Sequence, residues 1–174
     1  MSMERPTRHL PGLALKHHKN TSDHATVQMP VPKLVKISMS QHMGAPCAPL
    51  VKVGDEVKLG QKIGENKERL SAPIYASVSG KVTAIEDMVT GSIVPAIVIE
   101  SDGKQEWADT VKPPVINSRE DFLNAVYENG MVGLGGAGFP THTKLSFNEE
   151  VDTLIINGAE CEPYITSDNR EILE

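Results

Sequence analysis

The stretch Val51–Glu65, VKVGDEVKLGQKIGE, constrains the fold more than any other part of the chain. Gly54-Asp55 and Gly60-Gln61 each set a turn between short apolar runs, so the chain must change direction twice in quick succession. A continuous helix does not survive two such interruptions. The same punctuation continues on both sides. Leu34–Ile37, Leu50–Val53, Ile74, Val82–Ile85 and Ile97–Ile99 are short apolar segments, with a further turn expected at Gly80. Closely spaced short strands of this kind predict a small all-β barrel or sandwich over residues 29–103.

The flanks read differently. Residues 1–28 are rich in His, Pro, Thr and Ser without periodicity and are expected to form an N-terminal arm. The pair His17–His18 lacks a helical i, i+4 partner and nearby carboxylates, so it reads as exposed loop, not metal site. Residues 104–117, with Trp107, Pro113 and Pro114, read as a linker, because the double proline interrupts any helix. Ser118 then offers a helix cap, with Asp121 at capping-box spacing. Phe122, Leu123, Val126 and Tyr127 follow at helical intervals, and Asn129-Gly130 is a natural stop. A helix over 119–128 is predicted. Residues 151–157, VDTLIIN, read as a buried strand, and Thr166–Asp168 as the cap of a last helix.

Composition removes several classes of function. The formal charge of −6 argues against nonspecific nucleic-acid binding, which needs a clustered positive surface. No run approaches the roughly 20 apolar residues that cross a bilayer, so no direct membrane span is expected, and no signal-peptide core is evident. Three Phe, three Tyr and one Trp leave the core to Val, Ile, Leu and Ala. Two cysteines, Cys47 and Cys161, make neither a disulfide framework nor a metal set, and both read as ordinary loop residues.

Chemistry concentrates in Met131–Thr141. Gly133, Gly135, Gly136 and Gly138 lie so close together that backbone can approach a ligand and turn N–H groups toward an anion. The segment also satisfies G-x-G-x-x-G, but a helix precedes it and Phe139-Pro140 follows. A dinucleotide fingerprint instead follows a strand and opens into a helix.

The larger pattern is more specific. GLGGAGFPTHTKLSF followed by IINGAECEPYITSDNREILE resembles the flavin-binding subunit of respiratory complex I and, more closely, the C subunit of the Rnf electron-transport complex. Complex I relatives carry GRGGAGFPTG, a Leu-Lys-Trp, a strand and NADEGEP. This chain has the glycine loop, Lys144-Leu145, then Asn157, Glu160, Glu162, Pro163 and Arg170-Glu171 in the same order. The resemblance implies that Gly133, Gly135, Gly136 and Gly138 cradle FMN and that Lys144 reaches its phosphate or ring carbonyls. Asn157 would bond the flavin edge, and Glu160 and Glu162 would border the nicotinamide ribose or carboxamide of NAD(H). No residue is assigned as a catalytic group or a metal ligand. Leu134 replaces the arginine of the complex I loop and Ala159 the Asp of NADE; both changes side with the Rnf branch.

The β module resembles the biotinyl/lipoyl-type barrel–sandwich hybrid, which the Rnf C subunit has and complex I relatives lack. In carriers of that fold a hairpin presents a modified lysine. Lys67 is the only candidate, and Asn66 and Glu68 do not match the Met-Lys-Met pattern. A docking and structural module is expected. The resemblance thus implies a multi-domain α+β chain, its barrel–sandwich hybrid followed by the truncated start of an α/β FMN/NADH-binding domain at 118–174.

The implied function is that of an N-terminal fragment of the NADH- and FMN-binding subunit of a membrane-associated, ion-translocating ferredoxin:NAD oxidoreductase. Electrons would pass between NAD(H) and iron–sulfur carriers through FMN. In the resembling subunits 4Fe–4S clusters follow the flavin. Two cysteines ligate none, so the clusters are expected in a missing C-terminal part and the fragment alone is expected to be inactive. Implied partners are the other Rnf subunits, NAD(H) and, indirectly, ferredoxin, at the cytoplasmic side of a bacterial plasma membrane, peripherally. Two alternatives remain at this level: a soluble relative feeding electrons from NADH to an amino-acid reductase, and a non-enzymatic lipoyl-like docking or carrier module.

Overall fold

The computed structural model describes residues 16, 18–89, 91–134, 136–155 and 164. They fall into two compact units, residues 29–149 and residues 1–28 together with 150–174.

The first unit is built on the two glycine turns. Gly54 takes φ +98° and Gly60 φ +74°, a region that L side chains enter only with strain. Around them the same bonds are made twice, six residues apart. The Lys52 amide donates to Asp55 Oδ2 at 3.0 Å, and the Lys58 amide donates to Gln61 Oε1 at 3.0 Å. The Gly54 amide donates to Val82 O and the Val82 amide to Asp55 O, at 2.8 and 2.9 Å. Gly60 and Gln61 make the equivalent exchange with Ala76, again at 2.8 and 2.9 Å. Each turn therefore clasps a later segment of the chain, and the side chain after each glycine closes it.

Seven strands result: β1 (Leu34–Ser38), β2 (Ala48–Pro49), β3 (Glu56–Val57), β4 (Lys62–Glu65), β5 (Ile74–Tyr75), β6 (Gly80–Val89) and β7 (Ile93–Ser101). They form two antiparallel sheets, in the orders β1-β7-β6-β3 and β2-β4-β5. Between them lie Ile37, Met39, Cys47, Val57, Ile63, Ile74, Ala76, Val78, Val82, Ile97 and Ile99. Ile63, Ile97 and Ile99 are wholly buried, so truncating any one to Ala costs about 2–5 kcal/mol. The expected barrel–sandwich is present.

Three local expectations are corrected. Leu50–Val53 is not a strand; residues 51–54 lead into the first turn, and only Ala48–Pro49 pairs, with β4. Gly80 is not a turn but the first residue of β6, paired with Val57 and Ser101. Its φ is +153°, and a Cβ there would lie 2.0 Å from Glu100 O, so glycine is needed for close strand approach. In the second unit, residues 151–155 form no strand and Leu154 and Ile155 are more than 80% exposed. A strand needs a hydrogen-bonded neighbour, and none of the described residues supplies one. Residues 156 and 157, like the cap expected at Thr166–Asp168, lie outside the described residues. Within that unit the rings of His18 and Tyr164 stack, with centroids 5.0 Å apart.

Residues 104–117 run against the barrel. Leu59 and Trp107 form a parallel bridge, the Leu59 amide donates to Glu106 O, and Ala108 is buried. Helix α1 (Arg119–Glu128) then forms as its caps dictate. Ser118 accepts from the Asp121 amide at 3.0 Å, and Asp121 Oδ2 accepts from the Asn117 amide at 3.1 Å. At the other end the Gly130 amide donates to Tyr127 O and the Met131 amide to Val126 O, with Gly130 at φ +61°. This pair of bonds is a Schellman motif.

The C-terminal end of α1 is fastened to the barrel. Lys62 Nζ lies 2.8 Å from Glu128 and 2.9 Å from Glu65. Burial pulls the Lys62 ammonium pKa down, but its hydrogen bonds to Glu128 and Glu65 outweigh that and hold it above the usual lysine value. The Tyr75 hydroxyl donates to the Glu128 carbonyl, one of the orphan acceptors of a helix end. Burial, opposed by the Lys62 charge, pushes the Tyr75 phenol up to about 12. Gly130 completes the seam, since a Cβ there would lie 2.7 Å from Pro73 O.

Candidate cofactor site

The fastened helix end delivers the glycine loop to a fixed place. Val132 and Pro140 bridge across the loop's mouth. The Gly133 amide donates to Phe139 O at 3.0 Å, the Gly138 amide to Gly133 O at 3.2 Å, and the Thr141 amide to Met131 O at 3.0 Å. The chain leaves through the short helix α2 (Thr141–Leu145), with Pro140 at its N-cap position. Helix α1, not a strand, leads into the loop, so the G-x-G-x-x-G match is not a dinucleotide fingerprint here.

The loop faces the connection between β1 and β2. Between Ser40, Gln41 and His42 on one side and Val132–Leu134 with Gly136–Gly138 on the other is an open cleft of about 400 Å³. That volume is within the range of small-molecule sites. The described glycines of the loop divide into two kinds. At Gly138, φ is +65° and a Cβ would lie 3.1 Å from His42 Cα and 3.2 Å from Gln41 O. Gly138 is required by the fold. Gly133 is outside the left-handed region, and its Cβ would meet nothing closer than Phe139 N at 3.7 Å; a Cβ on Gly136 would stand in open space within 4 Å. Nothing in the protein's packing requires glycine at those two positions, and both border the cleft. A cradle of this kind fits a cofactor whose phosphate or ring must come close to backbone.

Of the other expected site residues, only Lys144 is among those the structure describes. Lys144 is exposed on α2, outside the cleft lining. Gly135, Asn157, Glu160, Glu162 and Cys161 lie outside the described residues. Leu134, at the arginine position of the complex I loop, is 91% exposed. Lys67 is exposed in the β4–β5 connection, where Asn66 bonds Pro46 O and the Glu68 amide.

Two histidines escaped assignment from the sequence. His142, on α2, packs edge-on against Tyr127 and lies 3.1 Å from Thr143 Oγ1. Thr143 Oγ1 donates to Arg69 O at 2.9 Å, so it accepts from His142 Nε2–H, leaving Nδ1 as a buried lone pair without a partner among the described residues. Burial lowers the His142 pKa below the usual histidine value, with the Arg69 carbonyl opposing. His42, in the cleft wall, sits beside Cys47 and Ser71. Burial pushes the Cys47 thiol up, which makes it a core hydrophobe and not a reactive group. The sequence signal for this cluster is faint: a histidine and a cysteine five residues apart among small residues.

Among the described residues there is no group of three or more His, Cys, Asp or Glu arranged to hold a metal ion. Nor, among them, is any helix long and apolar enough to cross a membrane.

Comparison with known proteins places both halves of this geometry. The RnfC barrel sandwich hybrid domain matches residues 8–104, and the Nuo51 FMN-binding domain matches residues 126–174. The C subunit of the Na(+)-translocating ferredoxin:NAD(+) oxidoreductase complex of Acetobacterium woodii is 48% identical over 147 residues, 79% of this chain and 33% of the relative. The C subunit of the proton-translocating ferredoxin:NAD(+) oxidoreductase complex of Clostridium ljungdahlii is 48% identical over 153 residues, 83% of this chain and 33% of the relative. The C subunit of the ion-translocating oxidoreductase complex of Rhodobacter capsulatus is 39% identical over 172 residues, covering 94% and 33%. The chain spans about a third of the length of these relatives. A barrel matched across more than half the sequence, with the start of an FMN-binding domain behind it, means that this chain belongs to the RnfC family.

Proposed function

We propose that this chain supplies the barrel and the glycine cradle of the C subunit in an ion-translocating ferredoxin:NAD oxidoreductase. There it would serve electron transfer between NAD(H) and iron–sulfur carriers through FMN. The observation that carries this reading is the pair Gly133 and Gly136, glycines that the fold does not need, bordering a cleft at the head of an FMN-binding domain match.

FMN, when bound, supplies the conversion between two-electron hydride chemistry and one-electron transfer. The chain's own contribution is positional. Gly133, Gly135 and Gly136 let backbone come close to the phosphate or ring, Gly138 shapes the loop, and Lys144 adds a cation for the phosphate or ring carbonyls. Asn157 bonds the flavin edge, while Glu160 and Glu162 accept from ribose hydroxyls or the carboxamide of NAD(H). Two cysteines cannot hold a four-cysteine cluster, so the 4Fe–4S clusters are held by cysteines other than these. The other Rnf subunits are the partners, ferredoxin is reached through them, and attachment is peripheral at the cytoplasmic face. Division into an arm (1–28), barrel (29–103), linker (104–117) and flavin domain (118–174) belongs to the same proposal.

The test is FMN titration by flavin fluorescence on the full-length gene product, with NADH oxidation by an artificial acceptor as the second readout. Saturable FMN binding and FMN-dependent NADH oxidation are expected. Absence of both overturns the reading. An intact mass showing biotin or lipoate on Lys67 would instead favour a carrier.

A further inference from the structure

We propose that the β1–β2 connection of the barrel is the second wall of the cofactor cleft, and that His42 is the positioning residue that clamps the glycine loop to it. This deepens the flavin reading and rests on it for the identity of the ligand.

His42 is 9% exposed, and its imidazole is held from both ends. The Ala72 amide, which can only donate, points at Nε2 at 3.3 Å, so Nε2 is a lone pair. Nδ1 lies 3.2 Å from the Met43 carbonyl, which can only accept, so Nδ1 carries the proton. The two bonds select one neutral tautomer. Ser71 Oγ at 3.4 Å and Cys47 Sγ at 3.6 Å complete the surroundings of Nε2.

Each bond leads somewhere. Ala72 belongs to the β4–β5 connection, whose Arg69 carbonyl accepts from Thr143 of α2. Met43 has its carbonyl on the imidazole and its amide on Gly138 O, at 2.9 Å. One residue's backbone therefore joins His42 to the glycine loop. Gly138 approaches so closely that its missing Cβ would press on His42 Cα and Gln41 O. The barrel is thus more than a neighbour of the glycine loop: Ser40, Gln41 and His42 form the opposite wall of the same cleft.

A purely structural histidine and a positioning histidine are separated by two substitutions. His42→Asn keeps an amide N–H near the place of Nδ1 and so the bond to Met43, but abandons the Ala72 amide. His42→Gln keeps an acceptor near the place of Nε2 and so the bond to Ala72, but releases Met43. In the full-length gene product three quantities are measured for both variants and for His42→Ala: unfolding midpoint, hydrogen exchange of peptides covering residues 40–47 and 132–139, and FMN affinity.

The crossed pattern is expected. His42→Gln holds its unfolding midpoint better than His42→Asn, yet exchanges Met43 faster and binds FMN about tenfold more weakly, the scale of one lost hydrogen bond. His42→Asn is the less stable but loses less FMN affinity than His42→Gln. FMN affinity that follows stability across the three variants overturns the positioning role. Unchanged exchange at residues 40–47 in His42→Gln and His42→Ala overturns the clamp itself. A wild-type protein that binds no FMN overturns the flavin reading and the wall with it, while the exchange pattern still decides whether His42 clamps the loop.

Discussion

Two regions of the chain use glycine for opposite reasons. In the barrel, Gly80 and Gly44 stand where another segment's carbonyl occupies the space of a side chain: a Cβ would lie 2.0 Å from Glu100 O or 1.9 Å from Leu70 O. In the loop after α1, Gly133 and Gly136 border an open cleft and meet no such obstacle. Glycine costs conformational entropy on folding, so a fold keeps it where shape demands it. Where the protein's shape makes no demand, the proposed cofactor supplies one. The contrast separates positions that the fold dictates from positions that we propose face a ligand.

Substitutions can break that contrast at several strengths. The largest effect is expected for Gly80→Ala, where overlap with the Glu100 carbonyl and an unfavourable φ act together. A loss of about 3 kcal/mol or more in denaturant unfolding is expected, and a loss below about 1 kcal/mol would show that the strands can part to admit a methyl group. Gly138→Ala comes next. Its φ of +65° and moderately tight contacts predict a loss of about 1–2 kcal/mol, with faster hydrogen exchange over residues 40–47.

A smaller, pH-dependent effect belongs to His142. Its folded pKa is lowered, so the native state binds fewer protons than the unfolded chain as the pH approaches its ordinary value. This contribution is complete above about pH 6.5 and is lost as the pH falls through the folded pKa. His142→Asn should flatten that part of the stability–pH profile, and an unchanged profile would remove His142 as its source. The smallest effect on stability is expected for Gly133→Ala and Gly136→Ala, within about 0.5 kcal/mol of wild type or slightly favourable. Each should nevertheless weaken FMN binding in the full-length gene product by about tenfold or more, as close backbone contacts are lost. Weakened folding without weakened FMN binding would place these glycines with those of the barrel.

What the sequence reveals follows the range of the interaction. Helix α1 is legible from Ser118 to Gly130, because its caps are made by residues within a few positions of one another. The turns at Gly54 and Gly60 are legible for the same reason. Gly80 is not: its need for glycine comes from Glu100, twenty residues away, and a local reading sees only a turn residue. Residues 151–155 mislead because apolar, β-branched sequence reports a tendency to pair and not the presence of a partner. The glycine loop stands out by its motif, but its opposite wall does not. Ser40, Gln41 and His42 carry no periodicity or spacing that links them to residues near 138; the seam between α1 and the barrel makes that link.

The two clasped turns have one more consequence. Bonds repeated six residues apart, Gly54 with Val82 and Gly60 with Ala76, set two equivalent crossings within one polypeptide. One short pattern, written twice, specifies both crossings of the barrel. A change at one crossing therefore has a built-in control at the other. Asp55 and Gln61 already show two solutions to the same bond, a carboxylate and an amide, side by side in a single molecule.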